Sequence, residues 1–126
     1  MPGRAFPVLY ARDVETTAAF YESLGLTRHF QLPAEGPAGY VGLKNQLSEM
    51  AIVAEQWPND RYGIPRGPGP SFEMFIYVDD ADATFAEFEG HGVTVISSPE
   101  DMPWGERVGF VRDPDGNPVA IATSPP

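Results

Sequence analysis

Residues 8–26 read VLYARDVETTAAFYESLGL, and residues 75–93 read FIYVDDADATFAEFEGHGV. The two stretches superimpose at a constant offset of 67 residues. Six of the nineteen pairs are identical: Tyr10/Tyr77, Asp13/Asp80, Thr17/Thr84, Ala19/Ala86, Glu22/Glu89 and Gly25/Gly92. Each copy opens on a short apolar run with the look of a strand. An aspartate follows, Asp13 or Asp80, whose carboxylate can accept the orphan amide hydrogens of a first helical turn. Val14, Ala18, Tyr21 and Leu24 then recur at helical spacing, with Glu15 and Glu22 outside the stripe. In the second copy Ala81, Phe85 and Phe88 make the stripe. Gly25 in the first copy, and Gly90 or Gly92 in the second, can take the left-handed conformation that closes a helix.

Three strand-like segments follow each helix. They are Thr27–Gln31, Gly39–Asn45 and Ser48–Glu55 after the first, and Thr94–Ser97, Glu106–Arg112 and Pro118–Thr123 after the second. Arg112-Asp113-Pro114-Asp115-Gly116-Asn117-Pro118 is a turn signal, with proline presetting one φ and glycine free to take a positive one. Trp57–Pro70 (WPNDRYGIPRGPGP) is rich in proline and glycine and reads as a linker, partly polyproline-like. The expected fold is therefore α+β: two βαβββ units whose curved sheets surround a cleft. They form one domain over 1–126, with unit one at 4–55, the linker at 56–70 and unit two at 71–124.

Composition narrows the function classes. The chain has 126 residues, enough for one small domain with a real core. No apolar run approaches the roughly 20 residues of a membrane span, and the N-terminus does not read as a signal peptide. There is no cysteine. Disulfides, thiolate metal sites and cysteine nucleophiles are excluded, which fits a cytoplasmic protein. The net charge of −10 disfavours nucleic acid as a partner and favours cationic ligands.

Ala11-Arg12-Asp13-Val14, Ala19-Phe20-Tyr21-Glu22-Ser23-Leu24-Gly25-Leu26, Pro103-Trp104-Gly105-Glu106-Arg107 and Arg112-Asp113-Pro114-Asp115-Gly116-Asn117 occur in order along nearly the whole chain. In this pattern the chain resembles the vicinal oxygen chelate superfamily of glyoxalases, dioxygenases and bleomycin-resistance proteins. It looks most similar to the antibiotic-binding members. The resemblance implies a homodimer in which each cleft is shared between chains. It also implies four metal-ligand positions in the enzymes, carried here by Phe6, Glu49, Glu73 and Ala120. Phenylalanine and alanine have no donor atom, and two carboxylates fall short of the three protein ligands a catalytic site usually needs. No cofactor is expected.

If position 6 faces the cleft, strand alternation sends Val8 and Tyr10 there too, and Pro7 and Leu9 to the helix. If position 73 faces the cleft, so do Phe75 and Tyr77, while Met74, Ile76 and Val78 pack on the helix. The expected ligand wall is thus Phe6, Tyr10, Glu73, Phe75 and Tyr77, with Phe30, Tyr40, Glu49, Trp57, Trp104 and Arg107 as further candidates. Several carry a second reading. Phe6 could simply fill space, Trp57 could plug the linker, and Glu49 or Glu73 could pair with Arg107 or another basic residue as a structural bridge. His29 reads as a surface residue and His91 as a helix-end cation. The expected function is sequestration, without chemistry, of a planar or aromatic antibiotic of bleomycin, mitomycin or enediyne type. A metal-dependent lyase, isomerase or dioxygenase, and a carrier of a biosynthetic intermediate, are the competing readings.

Overall fold

The computed structural model describes residues 2–125; the expected domain ends at 1 and 126 lie outside that range. The elements run β1 (Val8–Ala11), α1 (Val14–Glu22), β2 (Thr27–Leu32), β3 (Tyr40–Lys44), β4 (Glu49–Ala54), α2 (Gln56–Tyr62), β5 (Met74–Tyr77), α3 (Ala81–Phe88), β6 (Val95–Asp101), β7 (Arg107–Arg112) and β8 (Pro118–Thr123). The contacts divide the chain into two compact units, the first ending at Gly67 and the second starting at Pro68. Each unit holds one four-stranded sheet, in the order β1-β4-β3-β2 and β5-β8-β7-β6. The first strand of each sheet pairs parallel with the last, and the remaining neighbours are antiparallel. This is the α+β arrangement of two βαβββ units that the repeat predicts.

The repeat is carried into the backbone. Asp13 accepts a hydrogen bond from the Thr16 amide, and Asp80 accepts one from the Ala83 amide, both at 3.1 Å. Gly25 and Gly92 both have positive φ (100° and 74°), a conformation that a side chain would strain. In the first unit Val14, Ala18 and Tyr21 of α1 are buried, as are Leu9 and Ala11 of β1 and Val41, Leu43 and Ile52 of the sheet. In the second, Ala81 and Phe88 of α3 are buried, and Phe85, half-buried, lies over Gly109.

The DPDG segment is tighter than its turn signal implied. Asp113 Oδ1 accepts from the amides of Asp115 and Asn117, and Asp113 Oδ2 accepts from Asn117 Nδ2, each at 2.9 Å. Asn117 Oδ1 in turn accepts from the Ser71 amide at 2.9 Å and so ties the turn to the approach to β5. The expectation for 56–70 needs correction, because its first half is the helix α2 and not polyproline. Pro58 sits in the first turn, where an amide hydrogen has no helical partner, so its absence costs nothing. Gly63 closes the helix at φ 70°.

Candidate functional site

The site is built on the face of the first sheet that turns away from α1. Strand alternation and cross-strand register place Phe30 opposite Gly42, Gly42 opposite Ala51, and Tyr40 opposite Leu32 on that one face. Phe6 and Arg4, just before β1, join it. Together Arg4, Phe6, His29, Phe30, Leu32, Tyr40, Gly42, Glu49, Met50 and Ala51 line a pocket of about 390 Å³. Four of the candidates named from the sequence, Phe6, Phe30, Tyr40 and Glu49, therefore meet in one place. Phe30 and Tyr40 contact edge to face with ring centroids 6.0 Å apart, a geometry worth about 0.5–1.5 kcal/mol beyond area burial. Tyr10 is half-buried and outside the pocket lining.

Polar groups cluster at one rim of this pocket. Arg4 Nε donates to Glu49 Oε1 at 2.9 Å, and Arg4 Nη2 pairs with Glu49 Oε2. The Arg4 guanidinium also lies over Phe6, its Cζ 5.1 Å from the ring centroid. These hydrogen bonds hold the Glu49 carboxyl below the usual glutamate range, and Glu49 in turn holds Arg4 above its own. Burial, then the nearby Glu49 charge, raises the Tyr40 phenol. His29 Nε2 is 4.0 Å from Glu49 Oε2. The sequence left the basic partner of Glu49 open, and Arg4 fills that place; His29 is exposed, as its surface reading has it, and lies at the pocket. Alternation from Phe6 puts Arg4 on the pocket face. His29 sits where the β2–β3 register slips between Arg28 and Phe30, and such a bulge re-aims a side chain in a way alternation does not foresee.

A second aromatic group forms in the other unit. Phe75 and Tyr77 leave β5 on the face away from α3, with ring centroids 5.5 Å apart, and both are exposed. Glu106 accepts a hydrogen bond from Trp104 Nε1 at 2.7 Å. It also hydrogen-bonds the Tyr77 hydroxyl, which raises that phenol. Trp104 is 61% exposed in its loop. Glu73, just before β5, is exposed too.

Three expectations need correction. Arg107 lies on the α3 side of its sheet, in register with Gly109, and grips Asp82 at 2.6 and 3.1 Å and Asp101 at 3.1 Å. It is committed to structural ion pairs there, and it pairs with neither Glu49 nor Glu73. Trp57 packs on the backbone of Gly39, where a Cβ would fall inside the indole, and does not line the pocket. Gly39 lies just before β3 and outside the 56–70 linker, so this contact is not the expected plug against the linker. Glu49 is also not the counterpart of Ala120. Val8 pairs with Ala51 as its repeat partner Phe75 pairs with Ala120, so the fourth position of the expected ligand set is Ala51. Only Glu73 among Phe6, Ala51, Glu73 and Ala120 carries a donor. Among the described residues no three His, Asp or Glu side chains form a group that could hold a metal ion. The side chains at these positions do not fit a divalent centre.

A family model described as the Glyoxalase/Bleomycin resistance protein/Dioxygenase superfamily matches residues 5–121. The chain belongs to this superfamily. The putative glyoxylase CFP32 of Mycobacterium tuberculosis is 28% identical over 114 residues, which cover 90% of this chain and 42% of that protein. The chain thus spans less than half the length of that superfamily relative. Among solved structures, TioX from Micromonospora sp. ML1 superimposes with a TM-score of 0.75 at 20% identity, covering 96% of this chain and 98% of its own. A lactoylglutathione lyase from Agrobacterium tumefaciens superimposes with a TM-score of 0.70 at 27% identity, covering 98% and 95%. Superfamily members often bind small molecules, and among the described residues no helix is long and apolar enough to cross a membrane.

Proposed function

We propose that this protein binds a cytotoxic planar or aromatic natural product and sequesters it unmodified, as a self-resistance protein acting in the cytoplasm as a homodimer. One observation carries the reading. On the first unit, positions where enzymes of the superfamily are expected to hold a metal are Phe6 and Ala51, and they lie in an aromatic pocket with Phe30 and Tyr40. Such a surface offers stacking and apolar burial in place of a Lewis acid. The exposed rings of Phe75, Tyr77 and Trp104 offer a second wall, and in the proposed dimer the first wall and the second come from different chains. Sequestration requires submicromolar dissociation, about −8 to −11 kcal/mol.

Titration of the native chain against a panel of planar antibiotics, followed by mass spectrometry of the recovered ligand, tests the proposal. A saturable complex that returns the ligand at its original mass supports it. The 27% identity to a lactoylglutathione lyase favours a second reading, a metal-dependent lyase or isomerase using Glu73 and Glu49. Elemental analysis separates the two. One tightly held Fe, Mn, Ni or Zn per chain, whose removal abolishes a measurable turnover, overturns sequestration in favour of catalysis.

A further inference from the structure

Each unit sets an acid among aromatic rings, and the two acids differ in what surrounds them. In the first unit Glu49 is engaged by Arg4, whose guanidinium also lies over Phe6. In the second unit the acid is Glu106, just before β7, and its hydrogen bonds come from the rings. The Trp104 indole N–H donates to it at 2.7 Å, and the Tyr77 hydroxyl donates to it too. Among the described residues no lysine or arginine pairs with Glu106. Arg107, the next residue, leaves on the α3 side and is held there by Asp82 and Asp101. Phe75 lies against Tyr77, and exposure alternates back along the chain to Glu73. Strand alternation thus adds a third ring and a second carboxylate to the same face.

Negative charge without a basic partner, beside exposed rings, attracts a cation, because the face of an aromatic ring carries the negative part of its quadrupole. The kind of cation follows from the hydrogen bonds. Trp104 and Tyr77 already donate to Glu106, and the same bonds fix where both rings stand. A primary ammonium or a guanidinium brings N–H donors that need acceptors as they leave water. A quaternary ammonium brings none. It needs only ring faces and a fixed opposite charge, which are what this face offers.

Resting on the reading above that this face of the second unit binds a small molecule, we propose that Phe75, Tyr77, Trp104 and Glu106, with Glu73 at the edge, form a site for the quaternary ammonium group of that molecule. Glu106 has two parts in it. It supplies the charge, and it holds the Trp104 and Tyr77 rings in place.

Titration of the full chain with three probes tests this: choline, its uncharged isostere 3,3-dimethylbutan-1-ol, and ethanolamine, which keeps the charge but carries N–H donors. Binding is followed through the Trp104 indole N–H resonance, assigned by its loss in Trp104→Phe. Choline is expected to move that resonance saturably, with an affinity roughly fivefold or more above those of the other two probes. Glu106→Gln keeps the size of the side chain and an acceptor for the indole but removes the charge. It is expected to weaken choline binding roughly fivefold or more and to leave the isostere unaffected. If Glu106→Gln does not fold, the comparison of the three probes on the unaltered chain decides. The isostere or ethanolamine binding as tightly as choline overturns the inference, as does a folded Glu106→Gln chain with unchanged choline affinity. Absence of a saturable response to choline overturns it too. Sedimentation of the chain with phosphatidylcholine vesicles would assign the site to a lipid headgroup and overturn the small-molecule source. In each of these cases an antibiotic from the panel that is still bound and returned unmodified leaves the sequestration reading standing.

Discussion

Gly109 of β7 shows how tightly single positions are specified. A Cβ there would stand 2.5 Å from Phe85 Cζ and 2.9 Å from the Pro99 backbone nitrogen. The ring can swing but the backbone cannot, so Gly109→Ala should destabilise the fold by about 1–3 kcal/mol, read as a lower urea midpoint. Phe85→Ala removes the ring that covers this glycine. It should cost about 3 kcal/mol, at the low end for buried phenylalanine because Phe85 is only half-buried. Trp104 makes the opposite case. It is well exposed, and its indole nitrogen bonds a neighbouring glutamate in the same loop. Trp104→Ala should leave the melting temperature nearly unchanged, within about 0.5 kcal/mol of stability, while weakening ligand binding by roughly 1–3 kcal/mol. A large stability loss with unaltered affinity would assign the indole to packing instead. At this scale sequence reading was uneven. Phe6, Phe30, Tyr40 and Glu49, named from the resemblance and from aromatic character, line one pocket. The same reading left the basic partner of Glu49 unnamed, and placed Arg107 in the site, because ion pairing depends on which face each side chain leaves from.

The helices owe their boundaries to their caps. Asp13 and Asp80 hold nearly the same extended backbone, with φ/ψ of −133/104° and −147/106°, and each accepts from the amide three residues on. Asp13→Ala and Asp80→Ala should each cost about 1 kcal/mol in thermal or urea unfolding. Similar losses at the two sites would show that the repeat is energetic as well as geometric. These elements were legible in the chain because aspartate, apolar stripe and glycine act within one or two helical turns. Helix α2 was not, since Pro58 and Gly63 were read as breakers. Their positions, in the first turn and just past the last, make them compatible with a helix start and stop. The bulge in β2 that re-aims His29 was equally invisible, because it arises from pairing with β3.

Across the whole molecule, acidity and stability are linked through three arginines. Arg28 donates to Glu15, Arg4 to Glu49 and Arg107 to Asp82, and each carboxyl is held below its ordinary value, 4.5 for glutamate and 3.8 for aspartate. A carboxyl depressed in the folded state stabilises above its unfolded value. That contribution fades as pH falls through the folded value. The urea midpoint should therefore drop as pH is lowered from about 5 towards 3. The net charge of −10 acts in the other direction, because protonation relieves self-repulsion. Arg107→Ala isolates the Asp82 carboxyl: its midpoint should fall less steeply with acid than that of the unaltered chain. An equal slope would mean that the pair at Asp82 adds nothing to the pH dependence.

Periodicity, capping aspartates and a 67-residue repeat were enough, unaided, to specify two βαβββ units and the identity of their helices, because each of those signals is short-range. Strand register lay beyond them. Only the pairing of Val8 with Ala51 revealed that alanine, and not Glu49, stands opposite the first strand as Ala120 does in the second unit. Only the folded sheet brought Arg4 onto Glu49 and set the His29 ring over Gly42, where Phe110 stands at its counterpart. Those contacts join residues tens of positions apart, and a one-residue slip in pairing would have exchanged every one of them for the opposite face.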